Sequence, residues 1–149
     1  MESKKQLAGP CGLYCGVCGI YAAHKDNDLE FKERLAGIYG LDVADIKCKG
    51  CRSDELFLYC QNCPIRSCTT AKGIEGCHQC NDFPCQFIEN FPLHHGRRVI
   101  LRAIPARRKL GTERWIEDEE RRYHCPYCGC KLFMGAEECW NCKELVDVD

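Results

Sequence analysis

Cys60-Gln61-Asn62-Cys63-Pro64-Ile65-Arg66-Ser67-Cys68 returns in kind 17 residues further on as Cys77-His78-Gln79-Cys80-Asn81-Asp82-Phe83-Pro84-Cys85. Both stretches read C-x2-C-x4-C. Eight residues separate Cys51 from the first unit, and eight separate Cys68 from the second, the matched spacing of a duplicated element. A C-x2-C turn lets two thiolates converge on one cation while the turn's N–H groups point at the sulfurs. Tetrahedral zinc and iron–sulfur clusters both use that geometry. The expected fold is therefore a small irregular α+β protein, mainly α plus metal knuckles, stapled by metal and closed by a C-terminal zinc ribbon.

The rest of the chain follows the same pattern. Sixteen of its 149 residues are cysteine, above the roughly 8–10% that marks a covalently or metal-stapled fold. Further C-x2-C pairs stand at Cys15/Cys18, Cys48/Cys51, Cys125/Cys128 and Cys139/Cys142. A secreted disulfide framework is the competing account. Met1–Pro10 carries no apolar stretch behind its lysines, and neighbouring thiols make poor disulfide partners for each other, so reduced, metal-bound cysteines in a cytoplasm are expected. No run approaches the ~18 apolar residues of a membrane span. The 45% hydrophobic fraction counts every cysteine; without them near a third of the chain is apolar, which is lean for a self-sufficient core. Metal binding would then supply folding free energy, on the order of 10 kcal/mol per structural zinc.

Between 48 and 85 stand eight cysteines: Cys48, Cys51, Cys60, Cys63, Cys68, Cys77, Cys80 and Cys85. Eight thiolates fill two tetrahedral sites. Sequential use gives Cys48/Cys51/Cys60/Cys63 and Cys68/Cys77/Cys80/Cys85; a cross-braced arrangement exchanges partners, and spacing leaves both open. Cys125-Pro126-Tyr127-Cys128-Gly129 and Cys139-Trp140-Asn141-Cys142-Lys143 form C-x2-C-x10-C-x2-C, the ligand set of a short zinc ribbon. Cys130 falls outside that set, and Leu132, Phe133 and Trp140 are expected to form its small core. Cys11-x3-Cys15-x2-Cys18 offers three ligands and an open fourth position. Its three sulfurs are expected to converge on one point, with His24, His78 or a spare cysteine completing a zinc site. The alternative is a [4Fe–4S] cluster on Cys11, Cys15 and Cys18, the spacing used by radical-SAM enzymes; their βα barrel of about 200 residues or more has no counterpart here.

Three segments are expected: a cysteine-rich multi-metal domain at 1–92, a helical spacer at 93–124 and the ribbon at 125–149. A helix over 28–39 should be capped by Asp26, Asn27 or Asp28 and ended by Gly40. Val99, Ile100, Ala103 and Ile104 predict a helix stopped or kinked at Pro105. Thr112 should cap a second helix through Tyr123, largely solvated and laced by Glu117–Arg121 and Asp118–Arg122 pairs. Arg97, Arg98, Arg102, Arg107, Arg108 and Lys109 put six positive charges into one acid-free stretch. Nucleic-acid binding through Arg97–Lys109 is considered but not favoured: net charge is −1, and few aromatics interleave the arginines. His94-His95 reads as a loop. No nucleophile elbow, phosphate loop or HExxH helix is present, so no catalytic residue is assigned and an enzyme is not the favoured reading.

Cys11-Gly-Leu-Tyr-Cys15-Gly-Val-Cys18, Cys48-Lys-Gly-Cys51-Arg52, Cys60–Cys68 and the 77–85 segment together resemble domain-of-unknown-function family 3795. This is a group of short, cysteine-rich bacterial and archaeal proteins common in anaerobes. The resemblance covers about residues 9–92; the spacer and ribbon look like an appendage. It implies a metal-binding cytoplasmic protein and carries no catalytic residue onto this chain. The resulting expectation is a zinc-binding protein with several zinc ions per chain, mainly structural, acting as an interaction module toward another protein. The alternative is an iron–sulfur redox or electron-transfer protein using the Cys11/Cys15/Cys18 loop.

Overall fold

Helices carry nearly all the regular structure of the computed structural model, which describes residues 1–149. They are α1 (Glu2–Lys5), α2 (Gly19–Lys25), α3 (Leu29–Tyr39), α4 (Pro64–Lys72), α5 (Gln86–Glu89), α6 (His94–Leu110) and α7 (Thr112–Arg122). Short 3-10 turns at Cys15–Val17, Val43–Asp45, Leu58–Cys60 and Cys77–Gln79 join them. The β structure is three isolated antiparallel bridges, Ala8 with Tyr14, His124 with Lys131 and Glu138 with Leu145. The chain is mostly helical.

Helix α3 forms where its caps dictate. The Asp28 carboxylate accepts from Phe31 N at 3.1 Å, and Gly40 ends the helix in the left-handed region at φ 68°, where a side chain would be strained. Helix α6 is not stopped at Pro105 and continues to Leu110, with His94 and His95 in its first turn. A mid-helix proline removes one backbone donor, here the bond to the Leu101 carbonyl. Leu101 lies on the exposed face, while Gly96, Val99, Ile100, Ala103, Ile104 and Arg107 form a continuous buried stripe. Burial of that stripe outweighs one lost bond on the wet side.

Helix α7 is also less solvated than its composition suggests. Trp115, Ile116 and Glu119 are buried on it, and Tyr123 just beyond. The Glu119 carboxylate accepts twice from Arg102 of α6, at 2.6 and 3.1 Å, so a buried acid is met by a forked donor. Thr112 does not cap α7; its hydroxyl accepts from Arg107 Nε at 3.1 Å, and Gly111 occupies the cap position. On the outer face the observed pair is Asp118–Arg121 at 3.0 Å, three residues apart.

The largest apolar cluster joins the two ends of the chain. Ala8, Tyr14 and Val17 pack with Val99 and Ala103 of α6, with Trp115, Ile116 and Tyr123, and with Cys125, Leu132, Cys139 and Val148. Met134 N donates to Val17 O at 2.9 Å. The side chain of Asp149, 2% exposed, accepts from Gly135 N at 3.1 Å and from the Tyr123 hydroxyl at 3.0 Å. Two smaller clusters gather around Ile65, Ile88, Ile100 and Ile104, and around Ile20, Ile46 and Phe57. Each contains cysteines in its wall.

Candidate metal centre

The C-terminal cysteines are brought together by two backbone turns of the same design. Gly129 N donates to Cys125 O at 2.9 Å, and Lys143 N to Cys139 O at 3.0 Å. Gly129 and Lys143 both take positive φ, 79° and 68°, which turns the chain back under the preceding sulfurs. The bridges His124–Lys131 and Glu138–Leu145 each close the hairpin that carries one turn. The sulfurs of Cys125, Cys128, Cys139 and Cys142 then lie within 4.8 Å of one another, with Cys125–Cys142 and Cys128–Cys139 each at 3.6 Å. At a zinc–sulfur distance of about 2.3 Å, a regular tetrahedron has sulfur edges of about 3.8 Å. This group can hold a metal ion.

Two of its thiols, Cys128 and Cys139, have lowered pKa values. Against the Glu144 N–H, burial and the Cys125 and Cys139 sulfurs push Cys142 up to about 12. The Asn141 amide and the Cys130 N–H pull the Cys128 thiol down to about 6. Burial opposes the Cys139 thiolate, but the Cys142 and Asn141 N–H groups and the Cys130 thiol outweigh it and lower its pKa. Cys130 stands at the edge of the group with its sulfur 3.2 Å from that of Cys139. Of the expected core, Leu132 is buried. Phe133 instead tilts against Phe31 of α3 at 5.3 Å, and Trp140 is exposed, its Nε1 donating to Lys131 O at 3.0 Å.

The N-terminal cysteines are arranged differently. The four C-terminal sulfurs are the one group of three or more ligand atoms gathered within 4.8 Å; Cys11, Cys15 and Cys18 do not converge in that way. Their neighbours come from other knuckles. Burial and then the Cys51, Cys63 and Cys15 thiolates push the Cys11 thiol up. Burial and the Cys48 thiolate raise Cys18 against the N–H groups of Tyr21 and Ile20. Cys60 is pushed up to about 12 by burial, then by Cys18, Cys48, Cys51 and Cys63. Cys18, Cys48 and Cys60 stand at one apolar cluster, and Cys11 and Cys63 at another, so the 60/63 pair is divided between the two. Cys77, in contrast, is raised to about 11 by burial and then mainly by Cys85, Cys80 and Cys68, the last four cysteines of the 48–85 segment.

Residues 7–90 match the family described as Protein of unknown function (DUF3795). The chain belongs to this family. The match takes in every cysteine from Cys11 to Cys85 and stops before α6. No curated protein and no solved structure matches the chain.

In this DUF3795 protein the two histidines considered as completing ligands stand apart from the sulfurs' hydrogen bonds. His24 Nε2 lies 3.6 Å from Glu55, and neither His24 Nδ1 nor His78 Nδ1 has a hydrogen-bond partner. Burial, then the Arg107 charge, lowers His78 to about 4, so it is a neutral ring. The basic stretch on α6 is turned largely onto the protein itself. Arg97 donates to Glu89 O at 3.1 Å, and Arg98 reaches Asp149 at 3.4 Å. Arg107 donates to Gly9 O at 3.0 Å and to Glu75 at 3.1 Å. Arg108 donates to His78 O and Cys80 O, both at 2.9 Å. Arg107 and Arg108 therefore brace the Gly9–Cys11 and Cys77–Cys80 loops. The sequence carried a signal for Arg107: it continues the 96, 99, 100, 103, 104 stripe by one more helical step.

Proposed function

We propose that this DUF3795 protein binds several zinc ions, that these fix its fold, and that its role is to present the resulting surface to another protein. The convergence of the Cys125, Cys128, Cys139 and Cys142 sulfurs within 4.8 Å carries the reading. Four thiolates and no open position describe a structural zinc site, a zinc ribbon, not a catalytic one. Cys11, Cys15, Cys18, Cys48, Cys51, Cys60 and Cys63 form a cross-braced set in which no C-x2-C pair keeps a metal to itself. That interleaving gives less support to an isolated three-cysteine cluster on the Cys11–Cys18 loop.

The interaction role is supported by a groove of about 630 Å³ between α3 and the C-terminal segment, lined by Phe31, Leu35, Tyr39, Phe133, Met134 and Trp140. Ile38 is 76% exposed at its edge. No helix is long and apolar enough to cross a membrane, and so dense a set of free thiols fits a reducing compartment. The test is elemental analysis of protein prepared anaerobically, beside Cys139→Ser. Zinc in the parent and one equivalent fewer in the variant supports the reading. A parent without zinc, or unchanged zinc in both Cys139→Ser and Cys130→Ser, sinks it.

A further inference from the structure

A second group of four cysteines lines a cavity of its own. Cys68 leaves α4, Cys77 opens the 3-10 turn Cys77–Gln79, Cys80 follows it, and Cys85 precedes α5. These four line a single cavity of about 400 Å³, with Ile65, Ile74, Phe83 and Phe87 making its apolar wall. One water takes up about 30 Å³ of the liquid, so a lone cation would leave most of this space empty. The sulfurs agree with the volume. All four line it, and unlike the C-terminal four they do not gather within 4.8 Å of one another. Four thiolates lining a cavity roomier than one cation suit a cubane, since its irons sit at separate corners and each takes one cysteine.

We propose that Cys68, Cys77, Cys80 and Cys85 hold a [4Fe–4S] cluster, one thiolate per iron, in this cavity. The reading deepens the multi-metal function above and assigns this site a different metal from the C-terminal one. The surroundings suit a cluster. The Lys72 ammonium lies 3.3 Å from Cys80 Sγ and 3.1 Å from Asp82, and Asp82 N donates to the same sulfur at 3.4 Å. Four thiolates on a [4Fe–4S]²⁺ core leave a net charge of −2, and hydrogen bonds and cations at the sulfurs offset it and set its potential. Arg108, bonded to the carbonyls of His78 and Cys80, holds the loop between two of the ligands and adds a second positive charge. With a protein thiolate on every iron, the cluster has no position open to substrate.

The full chain is incubated anaerobically with ferrous iron, sulfide and thiol, desalted, and assayed for iron, acid-labile sulfide and zinc. About four irons and four sulfides per chain are expected, with broad sulfur-to-iron charge-transfer absorption that bleaches on reduction. Cys68→Ser and Cys85→Ser should each lower the iron bound while keeping the C-terminal zinc; Cys139→Ser should lose zinc and keep iron. Because a ligand variant can fail to fold, Lys72→Met is read as well: its side chain is partly exposed, and removing its charge should move the cluster potential to more negative values. Parent protein that takes up zinc but no iron and sulfide overturns the proposal and leaves the zinc function standing. So does iron that survives in Cys68→Ser and Cys85→Ser, or a potential unmoved in Lys72→Met.

Discussion

The guanidinium carbon of Arg107 lies 4.9 Å from the centroid of the Trp115 ring, and both side chains are fully buried. This stacked pair joins α6 to α7 while the same guanidinium ties down Gly9 O and Glu75. Burial lowers the Arg107 pKa against the charge of Glu75, but the group stays a cation. Replacing it by methionine keeps much of the volume and leaves the Gly9 carbonyl without its donor. Arg107→Met should cost about 3 kcal/mol, the range for losing charged hydrogen bonds in a buried site. Glu75→Gln should cost under about 1 kcal/mol, because that carboxylate is half exposed. Urea titrations of the metal-loaded proteins decide it; equal costs would place the stabilisation in the ion pair and not in the stack and backbone bonds.

Cys130 tests the ligand assignment at the C-terminal site. Its sulfur approaches Cys139 more closely than any of the proposed partners do, yet its position after Gly129 keeps it outside the converged four. Cys130→Ser should retain the zinc bound there, and Cys139→Ser should lose one equivalent. Zinc competition with a chromophoric chelator measures both. Loss in Cys130→Ser with retention in Cys139→Ser would mean that Cys130 is the fourth ligand.

The parts of the fold that could be read from the residues are those set by local chemistry. Asp28 and Gly40 define α3 because an N-cap and a left-handed C-cap act within one turn. The C-terminal four converge because two C-x2-C turns ten residues apart have few other ways to meet. Pro105 does not stop α6, because its cost depends on which face of the helix is wet, and that is settled by Val99, Ile100, Ala103 and Ile104 packing on distant segments. Trp115, Ile116 and Tyr123 looked too few to bury α7, but the missing partners, Tyr14, Val17 and Leu132, come from both ends of the chain. The partition of the eight cysteines between 48 and 85 was open for the same reason: equal spacings allow several partitions, and the choice among them is tertiary.

The two tryptophans offer independent reporters. Trp115 is fully buried and lies 6.1 Å edge-on from Tyr14, whereas Trp140 is 51% exposed. Trp140→Phe should remove the red-shifted, acrylamide-quenchable part of the emission and leave a blue-shifted, protected remainder. Stability should change little, within about 0.5 kcal/mol for a surface substitution. A variant whose remaining emission is still readily quenched would show that the α6–α7 core is open in solution.

Metal removal should reach that same core. Only 33 of 149 residues are buried, and Cys125 and Cys139 belong to the largest apolar cluster together with Trp115 and Tyr123. A domain is stable by about 5–15 kcal/mol in all, and a structural zinc contributes about 10 kcal/mol or more of binding free energy, so losing even one should be decisive. Without its cation, the C-terminal site loses the crosslink that holds Cys125 and Cys139 in one cluster with Leu132 and Val148. Anaerobic treatment with a strong chelator should therefore lower helical circular dichroism and shift Trp115 emission to the red, and zinc added back should reverse much of both changes. The Trp140→Phe background isolates the Trp115 signal. An apo-protein whose Trp115 stays blue-shifted and which still unfolds cooperatively in urea would show that the helices and their apolar stripe suffice for folding, and that the metals serve activity or recognition instead.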